Sequence, residues 1–159
     1  MILITLGTQK FQFNRILKEI DYLVEIGLIK DDVFAQTGGS DYKPKHYEYK
    51  NFLDKDEMRK LQNETDIIIT HGGTGSIIEA ISLHKKVIVI PRLTKYGEHV
   101  DDHQKEITSE FSKHGYVIAV EDEKGILDAI KQAKTFEFKE YKSSPEGLIN
   151  EIEKLILAS

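Results

Sequence analysis

Short apolar runs alternate along this chain with stretches of helical periodicity. Residues 1–6 form an apolar run that stops at Gly7-Thr8 and predict a first strand. From Asn14, a residue type suited to capping, Ile16, Leu17, Ile20, Leu23 and Val24 share one helical face, and Gly27 marks the stop. Residues 32–37 predict a second strand closed by Gly38-Gly39, and residues 47–52 a short third strand. Asp54 can cap a polar helix over 55–64. The β-branched run 66–70 predicts a fourth strand, with a helix over 74–84 behind it. Residues 86–90 predict a fifth strand closed by Pro91. A loop over 92–100 leads to a helix over 102–113, with Gly115 as its C′ residue. Residues 116–120 predict a sixth strand, and residues 124–133 a helix with Ile126, Leu127 and Ile130 inward. No pattern assigns 135–143. Ser144, followed by Pro145, suits the start of a last helix, whose apolar stripe is Leu148, Ile149, Ile152, Leu155 and Ile156.

Continuously apolar strands need cover on both faces, and helices alternating with them supply it. Right-handed crossovers then give an α/β fold with an open, doubly wound, mostly parallel sheet. Residues 1–159 read as a single domain, with 144–159 as its C-terminal helix. Ligands of such sheets bind beyond the carboxyl ends of the strands. The unusual residues fall there: Gly7-Thr8-Gln9, Gly38-Gly39-Ser40, the segment 71–76 and the loop after Pro91.

Composition removes several function classes. The 159 residues carry a formal charge of −5 with acids and bases mixed, so no basic face for nucleic acid is expected. Cysteine is absent, which excludes disulfides and thiolate metal sites and suits a reducing cytoplasm. The apolar start lacks the basic leader and the length of a signal peptide. No run approaches the roughly 20 apolar residues of a membrane span. A membrane role is therefore expected to come through a partner or a surface.

The fourth strand runs into His71-Gly72-Gly73-Thr74-Gly75-Ser76, and an apolar helix follows with Glu79 one turn in. Glycine lets backbone approach a ligand, and a helix start offers free N–H groups and a positive dipole end. Strand, glycine turn and helix start together describe a phosphate site. The spacing fits neither the Walker pattern nor Gly-x-Gly-x-x-Gly. His71 reads either as a loop histidine capping a carbonyl or as a donor to a phosphate oxygen. Glu79 reads either as a first-turn acid favouring the dipole or as a carboxylate for ribose hydroxyls. Beyond Pro91, the loop carries Arg92, Glu98, His99, Asp101, Asp102, His103 and Gln104. His99 and His103 with Asp102 raise a metal reading. A hydrogen-bonding cluster for a sugar, or a solvated helix start capped by Asp101 or Asp102, accounts for the same residues without an ion. Ser-His-Asp hydrolysis lacks its Gly-x-Ser-x-Gly elbow.

The string from His71 to Ser76 with Glu79, then Pro91 and Asp102-His103-Gln104, resembles the donor-site signature of GT-B glycosyltransferases that use UDP-sugars. Thr5-Leu6-Gly7-Thr8 with Phe13-Asn14-Arg15 is similar to the small single-domain branch of that family. That branch holds catalytic subunits of the dolichol-pathway N-acetylglucosaminyltransferase and bacterial capsule and exopolysaccharide subunits. Gln36-Thr37-Gly38 with Ser40-Asp41, Pro91-Arg92 and Gly97-Glu98-His99 look most like the capsule members. The resemblance covers nearly the whole chain. Thr74-Gly75 stands where plant-type members carry Trp-Asn, which removes an aromatic that could stack on the base.

The resemblance implies roles. His71 and Gln104 are the expected catalytic residues. The turn of Gly72, Gly73, Thr74, Gly75 and Ser76 would hold the diphosphate, with Thr8 across from it. Glu79 would bind the ribose. Gln104, with Asp102 or His103, would read the sugar hydroxyls, with Arg92 and His99 also at the substrate. The uracil contact is expected near the fifth strand. No cofactor and no metal are expected, since the helix start and His71 already meet the leaving diphosphate. The implied reaction is inverting transfer of a hexose (galactose, glucuronic acid or N-acetylglucosamine) from UDP to a polyprenyl-diphosphate-linked sugar in capsule or exopolysaccharide biosynthesis. The chain would be the donor half, cytoplasmic and peripheral on the inner face of the membrane. A membrane-anchored, acceptor-binding glycosyltransferase subunit would be its partner. A regulatory subunit that holds a sugar nucleotide without turnover is the alternative. A dinucleotide-binding oxidoreductase would want an acid after the second strand, where this chain has Thr37-Gly38-Gly39.

Overall fold

The structure, a computed structural model, describes residues 1–142. Each predicted apolar run is a strand: β1 (Ile2–Thr5), β2 (Val33–Gln36), β3 (Glu48–Lys50), β4 (Ile67–His71), β5 (Lys86–Ile90) and β6 (Ile118–Ala119). The helices are α1 (Asn14–Glu25), α2 (Lys55–Glu64), α3 (Thr74–Ser82), α4 (His103–Lys113) and α5 (Ile126–Ala133). Single 3-10 turns lie at Thr94–Tyr96 and Glu123–Gly125. All strand pairs are parallel, in the order β3-β2-β1-β4-β5-β6. The strand order reverses between β1 and β4, where Ile2 pairs both Val33 and Ile67. That reversal opens a crevice at the carboxyl edge.

Period-two alternation divides the core into two layers. Ile2, Ile4, Ile67, Ile69, Ile88 and Ile90 face α1 and α5, where Ile16, Leu17, Ile20, Ile126 and Ile130 meet them. Ile68, Val87 and Val89 face the other way, against Ile77 and Ile81 of α3 and Ile107 and Phe111 of α4. Each such side chain contributes about 1.5–3 kcal/mol on burial. The strands must be apolar on both faces because helices cover both, which is why they read as unbroken runs.

Three expectations change in detail. Asn14 does not cap α1 but is its first residue. Its amide donates to Asp41 Oδ1 at 2.6 Å and its Oδ1 accepts from the Tyr42 N–H, while Gln12 Oε1 takes the Asn14 N–H. The side chain serves the β2–β3 connection because that long loop has unpaired backbone to satisfy. β6 is shorter than its apolar run, since the edge of the sheet offers it β5 alone. Residues 135–142 form no helix or strand, but Phe136 and Phe138 meet edge to face at 4.8 Å and cover the α1/α5 layer. The helix expected from Ser144 lies outside the described residues. The Asp54 cap forms as predicted, accepting from the Glu57 N–H at 2.8 Å.

The same β2–β3 connection is clamped by a buried carboxylate. Asp21 of α1 accepts from the Tyr42 hydroxyl, the Lys45 and His46 N–H groups and the His46 ring. Burial pushes its pKa up, but these donors outweigh burial and hold it below the usual 3.8. A carboxylate depressed in the folded state adds stability above its unfolded pKa, and that stability disappears as pH falls through the folded value. Asp21→Asn should therefore cost about 1–3 kcal/mol at pH 6. The deficit should shrink on acidification below pH 4, as measured by urea denaturation at both pH values.

Candidate functional site

A cleft of about 450 Å³ lies at the carboxyl edge over the β1–β4 boundary. Gly7, Thr8 and Gln9 line it from the β1 exit, Gln36 from β2, and His71 with residues 73–76 from the β4 turn. Phe52, Leu53 and Met58 form an apolar end, and Gln62 of α2 and Glu79 of α3 a polar wall. The cleft thus joins a helix start, a carboxylate and an apolar flank.

The β4 turn is built around one imidazole. Gly73 precedes α3 without a side-chain cap, so the first N–H groups of the helix are left for a ligand. His71 is buried, with Nδ1 3.2 Å from the Gly73 N–H and Nε2 2.9 Å from Ser76 Oγ. A backbone N–H can only donate, so Nδ1 is the unprotonated nitrogen and Nε2 carries the hydrogen. Burial, reinforced by the Arg92 charge, lowers the His71 pKa to about 4, and the ring is neutral at pH 7. The glycines of the turn have separate reasons. A Cβ on Gly73 would lie 2.5 Å from His71 Cε1, and one on Gly7, held at φ +76°, 2.8 Å from His71 Nε2. A Cβ on Gly72 would strike Thr108 Oγ1 at 2.6 Å and the Gln104 carbonyl at 2.8 Å. Gly72 is therefore needed for α4 to pack on the turn, and its N–H is turned away from the cleft. Gly75 has open space around it. Thr74 Oγ1, at the start of α3, has no hydrogen-bond partner among the described residues.

Glu79 is exposed on the cleft wall, with Oε1 accepting from Gln62 Nε2 at 3.0 Å. Its carboxylate is oriented by a neutral partner rather than neutralised by a cation. Gln62, Gln36, Phe52, Leu53 and Met58 were not among the expected site residues. Phe52-Leu53, an apolar pair at a strand exit just before a helix cap, was a usable signal. Gln62 had none, because its role depends on α2 lying beside α3.

The loop after β5 departs most from expectation. Arg92 is 1% exposed, and its guanidinium donates to the carbonyls of Leu6, Phe11, Gln12 and Glu98 at 2.6–3.3 Å. It binds two loops together and does not line the cleft. Gln104 is also buried, its Oε1 taken by the N–H groups of Gly72 and Arg92 at 3.0 and 3.1 Å. Such a side chain has no acceptor left for a sugar hydroxyl. Asp102 accepts from the Thr94 N–H and hydroxyl and secures the 3-10 turn. Asp101 lies between the two imidazoles, 3.3 Å from His99 Nδ1 and 3.2 Å from His103 Nδ1, and accepts the His103 N–H. His99, Asp102 and His103 are not among the residues that line the cleft. Among the described residues no three His, Cys, Asp or Glu side chains are grouped to hold a metal ion. Glu98, 1% exposed, pairs with Arg15 through both oxygens at 2.8 and 3.1 Å and accepts the Leu93 N–H. This pair links positions far apart in sequence, so neither residue announced it.

Residues 1–158 match the family model of the glycosyltransferase family 28 C-terminal domain. The UDP-N-acetylglucosamine transferase subunit ALG13 of Candida glabrata is 37% identical over 70 residues, covering 43% of this chain and 33% of that protein. The chain thus spans about a third of that relative. ALG13 of Yarrowia lipolytica is 25% identical over 142 residues, 85% of this chain and 70% of that one. A UDP-N-acetylglucosamine–N-acetylmuramyl-(pentapeptide) pyrophosphoryl-undecaprenol N-acetylglucosamine transferase of Shouchella clausii is 29% identical over 100 residues, 62% of this chain and 25% of that protein. Among solved structures, the solution structure of ALG13 superposes with a TM-score of 0.57 at 17% identity, covering 99% of this chain and 95% of that one. The crystal structure of Acinetobacter baumannii MurG does so at 0.57 and 15%, covering 83% and 41%. These superpositions share the fold described above.

Because a lysine amine cannot reach four carbonyls as a guanidinium fork does, Arg92→Lys should lower stability by about 2–4 kcal/mol. Denaturant unfolding measures this, and an unchanged midpoint would show that the clamp is dispensable.

Proposed function

The chain belongs to the glycosyltransferase family 28 C-terminal domain family, and on that premise we propose that its cleft binds the UDP moiety of a UDP-sugar as the donor half of a glycosyltransferase. The observation that carries this reading is the cleft itself, with the open start of α3 and neutral His71 at one side and Glu79 one turn further along the same helix. Diphosphate oxygens would meet the N–H groups of residues 74–76 and the Ser76 hydroxyl, ribose hydroxyls the Glu79 carboxylate, and the base the apolar end at Phe52 and Leu53. The base would then lie by the β3–α2 connection and not near the fifth strand, and Phe52 would supply the aromatic surface that Thr74-Gly75 lacks.

Departure of UDP builds negative charge on its β-phosphate. Prearranged dipoles at a helix start stabilise such charge without reorganising. A neutral imidazole donor serves the same end over the whole range in which the ring stays unprotonated. The reaction would be inverting: the acceptor hydroxyl attacks the anomeric carbon, the carbon–oxygen bond to UDP breaks, and the acceptor proton passes to a general base. Of galactose, glucuronic acid and N-acetylglucosamine, the last is the sugar in the names of the relatives above. Those names carry no capsule or exopolysaccharide setting. A membrane-anchored partner that presents a lipid-linked sugar, with this chain peripheral on the cytoplasmic side, completes the proposal; the ALG13 relatives are named as subunits of a transferase.

Calorimetry with UDP tests the nucleotide site. Losing a charged hydrogen bond costs about 1.5–3 kcal/mol, so Glu79→Ala should weaken UDP binding about 10- to 150-fold. Unchanged affinity would remove the ribose role. Transfer from UDP-N-acetylglucosamine, assayed with partner membranes and a lipid-linked acceptor, should persist in excess EDTA. Complete loss restored by a divalent ion would overturn the metal-free mechanism, and UDP binding without transfer would favour a regulatory subunit.

A further inference from the structure

The buried amide of Gln104 is held by backbone beside the cleft, with its oxygen fully taken. Its orientation is settled by chemistry. Gly72 and Arg92 each present a backbone N–H, and both point at one end of the carboxamide, at 3.0 and 3.1 Å. That end must be the oxygen. The NH₂ end is therefore turned toward His71 Nδ1, 3.3 Å away. His71 Nδ1 must accept, His71 Nε2 must donate, and Ser76 Oγ, 2.9 Å from Nε2, must accept in its turn. The Ser76 hydroxyl hydrogen is then free to point into the cleft that Ser76 lines.

We propose that Gln104 is a positioning residue that, together with the Gly73 N–H, sets the direction of a hydrogen-bond relay running Gln104 → His71 → Ser76, so that the relay ends as a donor aimed at an anionic oxygen. The direction originates in two backbone N–H groups that cannot reverse. A histidine free to change tautomer could present a lone pair to the cleft and repel a phosphate. Here the tautomer is fixed before any ligand arrives, which is the preorganisation that charge stabilisation needs. Gly73 N–H on the same nitrogen reinforces the choice at 3.2 Å. The charged and titratable groups facing the ring are Arg92 at the β5 exit and His99 in the loop beyond it, and both oppose its protonation.

The identity of the ligand rests on the function proposed above, but the relay does not, and its test is independent of activity. Nitrogen-15 spectroscopy of the His71 ring in the full chain reads the tautomer directly. The wild type should show protonated Nε2 and unprotonated Nδ1 from pH 8 down to about pH 5. Gln104→Glu keeps the oxygen for Gly72 and Arg92 but turns an acceptor toward Nδ1. It should raise the pH at which the ring titrates by about 1 to 3 pH units and weaken the preference for an unprotonated Nδ1, against the Gly73 N–H that still donates to it. A merely structural role for Gln104 leaves that signature unmoved in any variant that stays folded. Ser76→Ala should leave the His71 tautomer intact and weaken UDP binding by about tenfold, the loss of one hydrogen bond to a charged oxygen. The relay is overturned if the wild-type ring carries its proton on Nδ1, or if folded Gln104→Glu has the wild-type ring spectrum. A wild-type ring with the expected tautomer in a chain that does not bind UDP would leave the relay standing and remove the nucleotide reading instead.

Discussion

Where parallel strands stop, their ladders stop too, and the backbone N–H and C=O groups of the exits must find partners while leaving room for a ligand. In this protein three polar side chains meet that demand. Gln36 accepts from the Leu6 and Gly7 N–H groups and donates to the Gly7 and Asn51 carbonyls, which joins the exits of β1 and β3. Gln104 joins the exits of β4 and β5. Arg92 gathers the carbonyls of the β1–α1 loop under the loop that follows β5. Each is buried, and each would be costly to leave half satisfied. The cleft exists because these side chains hold its rims from behind, which leaves the α3 start facing outward.

The electrostatics follow the same economy. Among the described residues lining the cleft there is one carboxylate, Glu79, and no lysine or arginine. Arg92 is engaged with carbonyls, and Arg15 with Glu98 and Glu123. Attraction for an anion comes from oriented dipoles and from a histidine kept neutral by burial. Such a site would meet an anion with dipoles rather than with cations, and His71 stays neutral near pH 7.

The fold was legible because its signals are local. Strands buried on both faces are apolar throughout, and Gly27, Asp54 and Gly115 punctuate the helices between them as stop, cap and stop. The β4 turn and Glu79 were legible because strand, glycines, hydroxyls and helix start are consecutive in sequence. What the sequence obscured is the division of labour among polar residues of the β5–α4 loop. Arg92 and Gln104 look from their neighbours like ligand-binding residues, yet both face inward. Burial of a long polar side chain is decided by backbone groups that reach it from other strands, and no local pattern encodes that. At the apolar end of the cleft, the pair Phe52-Leu53 before the Asp54 cap was a local signal left unread, whereas Met58 is an ordinary residue that matters only through where α2 places it.

If the proposed function holds, the crevice between the β1 and β4 exits is a preformed uridine diphosphate site within this chain alone. Titrating UDP into the isotope-labelled chain and following its backbone amide resonances tests it most directly. The account predicts that the largest shifts fall at Gly7 and Thr8, at residues 73–79 and at Leu53, with little change at Arg92 and Val100. Shifts centred on His99, Asp102 and His103, or no shifts at millimolar UDP, would contradict it.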